Sequence, residues 1–164
     1  MNSKIFFSLF LIAVIIILNS CDDEAVFKEN NEIVSESWGI SDSVVFKAAI
    51  SETESFYNVF IEVKINELFL TNNLWLFMST ESPSGNIQSD TIMYFVSDEH
   101  GKWFGNEKGS SIENKFLYKA FIRFPEEGEY TFIIKHGMRE KDLPLIESFG
   151  ITVEYAEIPE NEEV

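Results

Sequence analysis

The apolar residues of this chain recur with a period of two over most of the stretch from Val44 to Tyr155, and that pattern decides its fold class. Successive side chains of a strand point to opposite faces, so alternation marks strands with one face buried. Val44, Phe46, Ala48 and Ile50 form one such set, and Tyr57, Val59, Ile61, Val63 and Ile65 a second, with Asn58, Glu62 and Lys64 facing out. Phe116, Tyr118, Ala120, Ile122 and Phe124 form another, followed by Tyr130, Phe132 and Ile134, then Ile151, Val153 and Tyr155. Thr91 to Val96 is β-branched and aromatic, and Leu74 to Met78 is a continuous apolar run, as expected of a strand covered on both faces. Turn formers separate these runs: Pro83-Ser84-Gly85, His100-Gly101, Gly105, Gly109 and Pro125 to Gly128. No segment keeps a helical period with caps. The nearest, Glu140 to Glu147, is interrupted by Pro144 and predicts at most one short helical turn. The pattern predicts an all-β fold: a single antiparallel β-sandwich of seven or eight strands, jelly-roll or immunoglobulin-like.

The N-terminus has a different character. Lys4 precedes Ile5 to Leu18, a run interrupted only by Ser8. A span of the hydrocarbon core needs about 20 apolar residues, so this shorter run reads as the apolar region of a signal peptide over residues 1–20. Leu18-Asn19-Ser20-Cys21 is similar to a lipobox, which makes Cys21 the acylated first residue of the mature chain. Cys21 is the only cysteine, so no internal disulfide can form, and lipidation accounts for the odd thiol. Residues 21–36 are mostly polar and predict an acidic tether, residues 37–156 the sandwich, and residues 157–164 an acidic tail.

Cleavage before Cys21 would remove one cation, Lys4, leaving 11 Lys and Arg against 28 Asp and Glu, a net charge of −17. That balance excludes nucleic acid and electrostatic adhesion to anionic lipid, both of which need a basic surface. The chain's link to a membrane is therefore expected to be the lipid on Cys21.

Little in the sequence suggests catalysis. No serine stands in a nucleophile elbow, no Gly-rich loop opens a helix to hold phosphate, and the acids read as a solvating surface. His100 falls in a turn, and His136 continues the Tyr130, Phe132, Ile134 face as a satisfied strand-end histidine, so neither predicts a metal site. No cofactor is expected, and the chain reads as a non-enzyme. The distinctive stretch is the loop Asp98 to Gly109, where Lys102, Trp103 and Phe104 lie between glycines. It is the candidate interaction loop, either a sugar-stacking platform or a plug for a partner's pocket. Alternatively Trp103 folds back as a lid on the core, the more frequent arrangement for a loop aromatic.

A set of short motifs, in order, resembles the GldH family of gliding-motility lipoproteins. It runs from the lipobox through Trp38, Tyr57-Asn58, Asn73 to Phe77, Pro83-Ser84-Gly85 and Asp90-Thr91-Ile92. The most telling stretches are Gly101 to Gly105 with Gly109-Ser110, and Phe124-Pro125 with Gly128-Glu129-Tyr130; Met138-Arg139, Leu143 and Gly150-Ile151 complete it. The chain departs from the family pattern at Phe69-Leu70-Thr71 and at Asn106-Glu107-Lys108. The resemblance implies a cell-envelope lipoprotein of the outer membrane that works in gliding, with partners among the gliding and type IX secretion components and no catalytic residues. The acidic run Asp22 to Glu24 is similar both to a surface-export signal of Bacteroidota lipoproteins and to an ordinary solvated linker. A surface glycan-binding lipoprotein, with Trp103, Phe104 and Trp75 stacking on sugar rings, is the alternative reading.

Overall fold

The computed structural model describes residues 25–34 and 37–156. The signal peptide, Cys21, the run Asp22 to Glu24 and the tail 157–164 lie outside the described residues. Eleven strands follow one another: β1 Ala25–Glu32, β2 Ser37–Gly39, β3 Val44–Ile50, β4 Tyr57–Asn66, β5 Asn73–Glu81, β6 Ile87–Phe95, β7 Asn106–Lys108, β8 Ser111–Ile122, β9 Gly128–His136, β10 Asp142–Pro144 and β11 Ile146–Tyr155. Among the described residues there is no helix.

The strands build two facing antiparallel sheets, β1-β11-β4-β8-β7 and β3-β9-β5-β6, with β2 and β10 pairing as a small ribbon. Three strands, β2, β7 and β10, have three residues each. Without them, eight long strands remain, and in chain order they lie 1-8-3-6 in one sheet and 2-7-4-5 in the other. That order is a jelly roll. The sequence left jelly roll and immunoglobulin-like arrangements open, and the pairing decides for the first.

Burial follows the predicted alternation closely where one face of a strand meets the core. In β3 and β4 every second residue is buried, from Val44 to Ile50 and from Tyr57 to Ile65. Tyr130, Phe132, Ile134 and His136 do the same in β9. These meet Leu74, Leu76 and Met78 of β5 and Phe149, Ile151 and Val153 of β11 to form one continuous core.

Three expectations are corrected. The stretch read as a tether is folded from Ala25 onward: β1 pairs with β11 from Ala25↔Glu154 to Glu32↔Ser148. Val26 and Phe27 pack partly against the core, and the rest of this edge strand, Lys28 to Glu32, is polar, so periodicity could not reveal it. Backbone pairing holds it, together with that partial packing. Second, β5 is covered on one face only, leaving Trp75 41 % and Phe77 48 % exposed on the outer side of the sheet. Third, the segment expected to make a helical turn forms β10, with Leu143 opposite Trp38 in β2. Pro144 fits there because a two-strand ribbon leaves its ring side unpaired.

The outer surfaces of the two sheets differ. Ion pairs lace one: Lys28–Glu62, Lys64–Glu147 and Lys115–Glu154 lie across β1, β4, β8 and β11, and Thr152 donates to Glu62. The other carries Trp75 and Phe77, with the Phe77 ring lying over Gly137, where a Cβ would come within 3.1 Å.

The connections gather at two ends. Ala25 lies opposite Glu154, Tyr155 opposite Tyr57, and Tyr57 opposite Ile122. The first described residue therefore shares an end with the β3–β4, β5–β6 and β8–β9 connections. The remaining four, β1–β3, β4–β5, β6–β8 and β9–β11, lie at the far end.

Candidate functional site

Two loops of the far end stand side by side. In the β4–β5 loop, the Asn66 side-chain oxygen accepts from the Leu68 amide at 3.1 Å, and the Phe69 amide donates to the Asn66 carbonyl at 3.0 Å. This tight turn drives Phe69 into the core and throws its two neighbours out, Leu68 68 % and Leu70 87 % exposed. Two exposed leucines flanking a buried phenylalanine are costly in water, roughly in proportion to their exposed apolar area.

The β6–β8 loop is built around Asp98. Its carboxylate accepts from the His100 and Lys102 amides, each at 2.9 Å, and its own amide donates to the Lys102 carbonyl. Gly101 closes the turn at φ +82°, a conformation that suits glycine. The returning strand bridges Trp103 to Ser97, and the Phe104 amide donates to the Val96 carbonyl. Gly105 then passes so close to β8 that a Cβ would lie 2.5 Å from the Glu113 carbonyl.

This geometry separates the three loop residues singled out in the sequence. Trp103 is half-buried and packs against the core. Phe104 is 62 % exposed, and Lys102 is exposed beside it. Between the two loops lies an open cleft of about 490 Å³, lined by Phe69, Leu70, Asn73, Asp98, Glu99 and Trp103 among others. Leu70 and Trp103 offer apolar contact, and Asp98 and Glu99 give the cleft acidic character. The sequence reading missed Leu68 and Leu70, because an apolar residue flanking a buried one looks like core until the turn is known.

The histidines are widely separated in environment. His100 is solvated, as expected. His136 is fully buried at the end of β9, its ring edge-on to Trp38 with centroids 5.2 Å apart. Contrary to the expectation of a satisfied histidine, neither ring nitrogen has a hydrogen-bond partner among the described residues, nor does Trp38 Nε1. Burial holds the imidazole below its ordinary value, against weaker opposing effects of the Trp38 backbone, Glu140, Asp142 and Asp42. No group of three or more His, Cys, Asp or Glu able to hold a metal ion occurs among the described residues.

The same ordered segments are shared with known proteins. The family model described as GldH lipoprotein matches residues 25–153. The chain belongs to the GldH lipoprotein family. It is 33 % identical over 144 residues to the gliding motility lipoprotein GldH of Flavobacterium johnsoniae, covering 87 % of this chain and 89 % of that protein. A GldH homolog of Christiangramia forsetii is 32 % identical over 135 residues, 82 % of each chain. Likeness to solved structures is remote. An α-glucuronidase specific for decorated arabinogalactans aligns with TM-score 0.43 and 12 % identity, over 84 % of this chain but 18 % of its own, too little to bear on function. GldH membership makes this a lipid-anchored protein of the cell envelope.

Proposed function

We propose that this GldH lipoprotein is a non-catalytic component of the gliding machinery, held to the outer membrane by acyl chains on Cys21. Its far end contacts other envelope components of gliding and type IX secretion. The observation that carries the reading is the exposure of Leu68, Leu70 and Phe104 on two neighbouring loops whose turns are held by hydrogen bonds to Asn66 and Asp98. Rigid loops with apolar tips need no ordering on association, and anchors of this kind dominate binding energy at interfaces. The acidic lining of the neighbouring cleft favours a partner with basic residues around an apolar pocket.

The test is a Leu70→Ser, Phe104→Ser double variant in a gliding host. Both side chains are solvent-exposed, so the purified protein is expected to melt close to wild type and to reach normal abundance, while colonies fail to spread. Normal spreading would sink the reading. Replacing Cys21 with Ser should likewise stop spreading and prevent palmitate labelling. Exposed Trp75 and Phe77 on the sheet face support the second reading, glycan binding, which titration of tryptophan fluorescence with surface polysaccharides tests directly.

A further inference from the structure

At the end of the sandwich shared with Ala25, the two sheets part. Along most of β6 and β8, whose edges face each other, side chains sew the sheets together. Tyr94 stacks on Phe116 with centroids 4.3 Å apart, and its hydroxyl donates to the Leu117 carbonyl. Tyr118 donates to Asp90 at 2.7 Å, and Lys119 pairs with the same carboxylate at 2.9 Å. Beyond Asp90 the seam stops, and a cavity of about 410 Å³ opens between the sheets. Its floor is core: Val59, Phe124, Tyr130 and Phe132, all buried. Thr80 and Ile122 form opposite walls, and Lys119 and Arg123 stand at the polar margin with Gln88, Asn86 and Glu126, Arg123 pairing loosely with exposed Glu54 at 3.7 Å. A mainly apolar cavity of this size with a few polar groups on one side is the usual form of a small-molecule site.

Its position narrows the ligand. Cys21 precedes Ala25 by four residues, which reach at most about 14 Å when extended. An anchor on Cys21 therefore keeps this end of the sandwich against the bilayer. Two of the 12 cations of a chain with 28 acids sit at this cavity's margin, where an anionic or ester headgroup would lie. We infer that the cavity between β6 and β8 binds a single acyl chain, drawn from membrane lipid or from the protein's own Cys21 anchor. The apolar floor takes the chain, and Lys119 and Arg123 face its head. The inference rests on the proposed Cys21 anchor for the choice of ligand, and its test is independent of gliding.

The test uses 11-(dansylamino)undecanoic acid as probe and palmitate as competitor, with the protein expressed without residues 1–20 and carrying Cys21→Ser. Probe fluorescence should rise on binding and return when palmitate is added. Thr80→Phe fills the cavity, so probe affinity should fall at least about tenfold while the melting temperature holds or rises. Should Thr80→Phe lower the melting temperature instead, Ile122→Trp fills the cavity from the opposite wall and takes its place. Arg123→Gln should weaken the carboxylate probe about two- to fivefold, the scale of an exposed ion pair, and leave displacement by neutral monopalmitin unchanged. Absence of displaceable binding below the aggregation threshold of the probe would overturn the inference. So would unchanged affinity in the cavity-filled variant. Repeating the titration on the lipidated protein in nanodiscs identifies the source. A cavity blocked there and open in Cys21→Ser holds the protein's own chain, and one open in both takes exchangeable lipid.

Discussion

Gly105 and His136 show how single positions carry this fold. At Gly105 a methyl group would meet the Glu113 carbonyl at 2.5 Å and the Asn114 side chain at 2.6 Å. Backbone cannot yield as a side-chain tip does, so Gly105→Ala should destabilise by about 1–3 kcal/mol, the scale of overpacking. A denaturant melt unchanged from wild type would contradict the contact. His136 is a base in a dry site, and its folded pKa lies below 6.5. Between that value and 6.5 the unfolded chain holds more protons than the folded one, so stability falls as pH drops through this window. His136→Phe keeps an aromatic ring beside Trp38 and removes the proton. Melting temperature between about pH 7.5 and 5.5 should decline in wild type and flatten in the variant. Equal slopes would show that other groups set the acid response. Trp103, half-buried against the core, behaves as a lid. Its replacement by Ala should therefore cost about 2 kcal/mol or more, part of the 3–5 typical of a fully buried site, and lower abundance in cells accordingly.

Strand β1 decides where the folded unit begins. β11 is buried on almost its whole length, from Ile146 to Val153, because it lies between β1 and β4. Without β1 it becomes a bare apolar edge, which invites aggregation. A chain starting at Ser37 should be insoluble or melt far below one starting at Ala25; equal circular-dichroism melts would refute that role for β1. The contrast also explains what the sequence made legible. Strands β3, β4 and β9 were readable because each has one wet and one dry face, which imposes the period of two. β1, β2, β7 and β10 were not, since strands this short or this polar carry too few apolar side chains to set a period. The outer face of β5 was misread for the opposite reason. Trp75 and Phe77 are apolar without being buried, and sequence cannot distinguish burial in a core from exposure on a docking face.

At the scale of the molecule, two candidate positions stood out in the sequence for chemical reasons: a lone cysteine behind an apolar run, and an aromatic pair between glycines. The cavity between β6 and β8 and the Leu68–Leu70 tip did not, because both arise from residues brought together by topology. That same topology places them at opposite ends, which is testable. Strands of about ten residues at roughly 3.3 Å each separate the two ends by about 30 Å, whereas four residues from Cys21 to Ala25 allow about 14 Å of slack. A domain anchored through Cys21 would be too closely tethered to invert freely. Cys21 is the only cysteine and would be blocked by acylation, so an introduced cysteine labels at one position. A donor dye on Ser84→Cys, in the β5–β6 turn, should transfer strongly to a rhodamine headgroup acceptor in nanodiscs. The same dye on Leu70→Cys, at the far end, should transfer weakly. Equal transfer from both positions would mean that the domain lies on its side or tumbles, and the far end would then lose its claim as the surface presented to partners.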